Sequence, residues 1–217
     1  RVHEAAPSAV EVRAVSGLSE ARALSEALLT KPFDLGVVPI LRIGLFRLPD
    51  GRHYFTFATH HIAGDGWSMS IIAKELVARY DAHKLGSACA VSVPTVQHKD
   101  YAAWRAQRLS EQPGQELRSY WLEQLKDVKT PALPLDRPRP ARRSYRGGAV
   151  RARLPMAALQ GLKELARGKN ATLFVALCAG LDALLHRYTG AEDIVVGTAV
   201  AGREHADLHE LVGVHVN

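Results

Sequence analysis

A chain of 217 residues, 47% hydrophobic and 23% charged, can bury a substantial core in one large domain or two small ones, and its composition excludes wholesale disorder. Its apolar runs are broken by charge before the ~20 residues that a membrane-spanning helix needs, and Arg1-Val2-His3-Glu4 has no apolar core of a secretory signal. The net charge of +6 invites a nucleic-acid reading, but the basic cluster from Arg137 to Arg151 (Arg139, Arg142, Arg143 and Arg146 between them) lies in a Pro-rich stretch with the single aromatic Tyr145, which suits a solvated linker or an acidic protein partner.

Val10 to Val15 alternates apolar and polar residues as an edge or half-buried strand does. Ser19 to Leu29 follows, with Leu24, Ala27 and Leu28 at helical spacing and Ser19 as the expected cap. Two strands come next, Ile40 to Leu48 and Tyr54 to Thr59. Pro49-Asp50-Gly51 between them predicts a hairpin. The second strand runs into His60-His61, and Trp67 to Tyr80 then reads as an amphipathic helix. A longer helical region spans about Val96 to Leu125, with a break expected near Pro113-Gly114.

The prolines between Pro131 and Pro140 forbid a regular helix or central strand and mark the best boundary in the chain. Beyond it, Ala149 to Leu154 alternates like a strand, and Met156 to Gly168 and Thr172 to Tyr188 read as helices. The second is apolar enough for a buried core helix, and Asp193 to Thr198 reads as a buried strand. The layout is mixed α/β. Cys89 and Cys178 lie far apart, and free thiols suit a reducing, cytoplasmic setting.

The chemistry centres on His60-His61-Ile62-Ala63-Gly64-Asp65-Gly66. Neighbouring side chains on an extended chain point to opposite faces, so His60 and His61 do not readily share one ion, and no HExxH or Cys/His spacing of a zinc site is present. No Gly-x-Ser-x-Gly elbow or phosphate-cradling glycine loop is present either. What remains is a histidine at a strand end, an acid four residues on, and a helix start. The positive end of that helix keeps a nearby imidazole neutral, ready to take a proton from an attacking amine or hydroxyl. Gly66 allows a close backbone approach. The plainer reading is that His61 is structural, that Asp65 is an N-cap and that Trp67 belongs to a core.

His60 to Ser68 resembles the HHxxxDG signature of nonribosomal peptide synthetase condensation domains. Further similarities follow in that family's order: Pro32-Phe33-Asp34-Leu35, Pro39-Ile40-Leu41-Arg42, His98-Lys99-Asp100-Tyr101-Ala102-Ala103-Trp104 against YxDFAxW, and Leu133 to Pro140 at the crossover. Arg187-Tyr188-Thr189-Gly190, Asp193 to Gly197, Ala201-Gly202-Arg203 and Val212 to Asn217, the last similar to IGxFVN, complete the set. His98 and His215 depart from it by standing where aromatics are usual.

The resemblance implies a chloramphenicol-acetyltransferase-like two-lobe fold, truncated at both ends. Residues 1–130 would form the N-terminal lobe without its RHExLR segment, 131–148 the crossover, and 149–217 the start of the C-terminal lobe. It implies peptide-bond formation between thioesters held on phosphopantetheine arms, with no permanently bound cofactor and no metal. The implied partners are donor and acceptor peptidyl carrier proteins and a neighbouring adenylation domain, with no nucleic acid and no membrane. His61 would be the reactive histidine, His60, Asp65 and Gly66 its support, and Arg203 a candidate ion-pair partner of Asp65. Trp67, Ser68 and Asn217 would line the tunnel. The intact Gly66-Trp67-Ser68 speaks against an epimerisation domain, and such a fragment is not expected to catalyse alone. The other readings are a stand-alone acyltransferase making esters or amides, and a condensation-like domain that only recruits a partner.

Overall fold

The computed structural model describes residues 9–89, 91, 94–144 and 146–217. They divide into two compact units, Arg1–Pro113 with Ala199–Asn217, and Gly114–Thr198.

The first unit is built on a three-stranded sheet of order β1-β2-β3, comprising β1 (Val10–Ala14), β2 (Leu41–Arg47) and β3 (His53–Thr59). β1 pairs parallel to β2, from Val10 opposite Ile43 to Ala14 opposite Arg47. Parallel neighbours need a crossover, and helix α1 (Leu18–Thr30) supplies it. Ser19 does not cap that helix: Gly17 precedes it, and the side chain of Glu20 reaches back to accept from Ser16 N at 2.8 Å and Ser16 Oγ at 2.7 Å. β2 and β3 form the expected hairpin, Leu41 opposite Thr59 and Arg47 opposite His53. Asp50 Oδ1 accepts from Arg52 N at 3.0 Å in its turn, the local side-chain bond that makes aspartate a turn former. Val15, Ala21 and Phe46 form the packed core, with Leu24, Leu48 and Tyr54 against it.

Two further helices complete this unit, α2 (Gly66–Leu85) and α3 (His98–Ser110). α2 runs five residues past Tyr80, to a left-handed cap at Gly86. α3 opens with the carboxylate of Asp100 accepting from Gln97 N at 2.9 Å. It stops at Ser110, and α4 (Gln112–Gln124) restarts at once. Pro113 falls in the first turn of α4, where its missing N–H removes no helical bond.

In the second unit α5 (Met156–Gly168) packs on α6 (Leu173–Thr189). Thr172 Oγ1 caps α6 by accepting from Val175 N. Three expectations are corrected here. Ala149 to Leu154 and Asp193 to Thr198 form no strands, and no residue of α6 is buried. Val150 is wholly exposed, and Val195 and Val196 are exposed. A strand needs a neighbouring ladder for its N–H and C=O groups, and among the described residues neither segment has one. No single helix among the described residues is long and apolar enough to cross a membrane.

Candidate functional site

β3 ends at Thr59, and the two histidines lie on the turn that follows, closed by Ala63 N donating to His60 O at 2.9 Å. The two imidazoles have different surroundings. His60 folds back on its own backbone, its Nδ1 accepting from Ile62 N at 3.1 Å, and meets the ring of Phe33 edge-on at 6.2 Å. Phe33 in turn lies under the guanidinium of Arg42, 3.8 Å from its centroid. Arg42 also donates to the carbonyls of Leu28 and Pro32, so His60 is tied to the end of α1. His61 is exposed and makes no side-chain hydrogen bond among the described residues. Its imidazole is left accessible at the surface of the turn.

Below this turn lies a buried polar latch. Asp65 is the N-cap of α2, accepting from Ser68 N at 2.8 Å. The same carboxylate also accepts from Ser68 Oγ at 2.7 Å, from Arg203 Nη2 at 3.1 Å and from His215 N at 3.0 Å. The Arg203 and Asp65 side chains are 1% and 0% exposed. Burial alone pushes the Asp65 carboxyl up, but the bonds from Ser68, His215 and Arg203 prevail and hold it well below the usual carboxylate range. Arg203 Nη1 donates to the carbonyls of Leu208 and Leu211. One guanidinium therefore ties the 203–215 segment to the helix start that follows the histidine turn.

Glycine makes two of these approaches feasible. Gly202 has φ +63°, and a Cβ there would lie 1.9 Å from the carbonyl oxygen of His215. A Cβ on Gly213 would lie 2.2 Å from His98 Nδ1.

Ser68 lies inside this latch. The residue is fully buried, and its Oγ sits among Asp65 Oδ1, Gly213 O at 2.8 Å, Gly213 N at 3.1 Å and Arg203 Nη2 at 3.1 Å. A hydroxyl with one proton and two lone pairs is consumed by such neighbours, which leaves nothing for a substrate. Trp67 is 45% exposed, with Nε1 donating to His209 O at 2.8 Å. Gly66 is exposed at the first position of α2. Asn217 pairs its backbone with Val200 in both directions and lines a cleft between α3 and the 200–208 segment. Among the described residues no group of three or more His, Cys, Asp or Glu side chains could hold a metal ion.

Sequence reasoning missed His215 as part of this site. Only 3% exposed, it packs 4.2 Å from the ring of Tyr101 and 5.2 Å from that of His98. Neither of its ring nitrogens has a hydrogen-bond partner among the described residues. Burial first, then the Arg203 guanidinium and His98, push its pKa down to about 4 against the opposing pull of Asp65. The available signal was the paired departure of His98 and His215 from the usual aromatics, since the two rings touch.

The model of the family described as Condensation domain matches residues 1–217. Gramicidin S synthase 2 of Brevibacillus brevis is 38% identical over 86% of the chain, and chondramide synthase cmdD of Chondromyces crocatus is 36% identical over 86%. The matches cover 4% and 5% of those proteins, so the chain corresponds to a small part of each. Among solved structures, the X-domain in complex with OxyB from teicoplanin biosynthesis superposes with a TM-score of 0.90 at 28% identity, over 100% of this chain and 49% of that one. The first condensation domain of the calcium-dependent antibiotic synthetase, bound to a substrate analogue, gives 0.68 at 26% identity over 97% and 47%.

Proposed function

This chain belongs to the condensation-domain family, with its mixed α/β, chloramphenicol-acetyltransferase-like fold, and from that premise we propose that it supplies the histidine side of a peptide-bond-forming site. The observation that carries the reading is the exposed imidazole of His61 on a turn whose neighbours are fixed: His60 against Phe33, and Asp65 in the buried latch. A group that meets substrate must be accessible, and the backbone that carries it must be fixed; the exposure of His61 and its anchored neighbours support this reading.

The substrates in this reading are a donor acyl or peptidyl thioester and an acceptor aminoacyl thioester, each arriving on the phosphopantetheine arm of a carrier protein. The acceptor amine attacks the donor carbonyl. A C–N bond forms, the C–S bond breaks, the amine proton passes to the imidazole of His61, and the departing thiolate takes up a proton. Carrier and adenylation domains are its partners in this reading, in a cytoplasmic setting; the likeness to gramicidin S synthase 2 and chondramide synthase supports the partners. Residues 1–130 and 149–217 are assigned to the two lobes, joined by the 131–148 crossover.

The test supplies a complete condensation domain containing this sequence with donor-loaded and acceptor-loaded carriers, and follows dipeptidyl product by mass spectrometry. Product from at least one loaded pair is the expected result. No product with any pair favours a second reading, recruitment of a partner enzyme, which draws support from the TM-score of 0.90 to a domain solved with OxyB bound.

A further inference from the structure

The cleft between α3 and the 200–208 segment encloses about 440 Å³, within the size range of small-molecule sites. Its floor is apolar and aromatic, with Tyr101 and Trp104 on α3 and Leu208 opposite. Its lining carries charge of both signs: Arg105 and Arg108 on the helix, Glu204 and Asp207 on the facing segment.

Arg105 is half-buried, yet neither it nor Glu204 makes a hydrogen bond or ion pair among the described residues. Arg108 rests over the ring of Trp104 at 5.2 Å, and an oxygen of Asp207 lies 3.3 Å from His205 Nδ1. A half-buried guanidinium ordinarily finds a carboxylate when one lines the same cleft. Here both lack a partner among the described residues, so the cleft offers an unused charge of each sign to whatever enters. Phosphate-rich ligands such as nucleotides fit Arg105 but meet Glu204 with like charge. A purely apolar ligand leaves both charges desolvated and unpaired.

We propose that this cleft binds an α-amino-acid derivative with a bulky apolar side chain. Its ammonium meets Glu204, its carbonyl or carboxylate oxygen meets Arg105, and its side chain packs on Trp104. The site is separate from the histidine turn, since His61 does not line it. It stands independently of the condensation reading, and either can fail alone.

The probe is L-phenylalaninamide, titrated into the isotope-labelled chain while the indole N–H signals of Trp67, Trp104 and Trp121 are followed by NMR. The expected result is a saturable shift at Trp104. N-acetyl-L-phenylalaninamide, which lacks the ammonium, should bind about tenfold more weakly, the usual scale for a charged hydrogen bond. Glu204→Gln should weaken L-phenylalaninamide by a similar factor; Glu204 is exposed, so the fold tolerates the change. Equal binding of the acetylated probe, unchanged binding to the Glu204→Gln chain, a shift confined to Trp67 or Trp121, or no shift up to about 10 mM would each overturn the proposal.

Discussion

Asp65 accepts hydrogen bonds from four donors while wholly buried, so its charge is tolerated only as long as they stay. Removing Arg203 leaves that charge without its counterion, and uncompensated buried charges cost about 3–5 kcal/mol. Arg203→Met is therefore expected to lower the urea midpoint by that equivalent, and the double variant Asp65→Asn/Arg203→Met to recover part of the loss. The pH dependence follows from the same geometry. A carboxyl held below its ordinary value stabilises the fold above about pH 4 and loses that contribution as pH falls further.

His215 acts in the same direction at higher pH. Its pKa is pushed down to about 4, so an unfolded chain takes up a proton near pH 6.5 that the folded chain refuses. The facing groups are Arg203, His98, Asp65 and Tyr101. Stability from this residue is complete above about pH 6.5 and falls by roughly 3 kcal/mol towards pH 4. Thermal denaturation of His215→Phe across that range should show a shallower slope than the native chain; an unchanged slope would remove His215 as its source.

At the scale of elements, the latch depends on the backbone of 202–215 passing very close to itself. Gly202→Ala brings a Cβ against the His215 carbonyl at a positive φ, and the combined strain should exceed about 2 kcal/mol. Differential scanning calorimetry reads this as a clear drop in Tm. Alanine at Gly17, where a Cβ meets nothing within 4 Å, is the control for a general glycine effect.

The elements that were legible in the sequence are those whose signals are local. The β2–β3 hairpin announced itself through Pro49-Asp50-Gly51, and the helices through their apolar spacing. Alternation is not enough by itself: Ala149 to Leu154 has the pattern of a strand but no ladder beside it among the described residues. The cap of α1 was missed because Glu20 bonds backwards to Ser16, a side-chain choice that spacing does not fix. The pairing of Asp65 with Arg203 spans 138 positions. Local physics could offer Asp65 only as a cap, and the resemblance named Arg203 as a candidate. The burial of Ser68 was not legible for the same reason, since its partners on Gly213 lie 145 residues away.

For the whole molecule, the chain matches about half the length of the solved condensation and X-domains. Exposed apolar residues recur along α6, including Phe174, Leu177, Leu181, Leu184 and Tyr188, at spacings that put them on one helical face. The histidine turn and its latch, by contrast, are complete within the first unit. His61 thus presents an accessible imidazole on a turn fixed from below. The most direct measurement is the single-turnover rate of dipeptidyl transfer in a complete condensation domain containing this sequence, native against His61→Ala, with carriers preloaded so that loading does not limit the rate. Loss of a positioned proton acceptor predicts a fall of about 10²–10⁴-fold, while a His61→Ala rate within a few-fold of native would contradict the account.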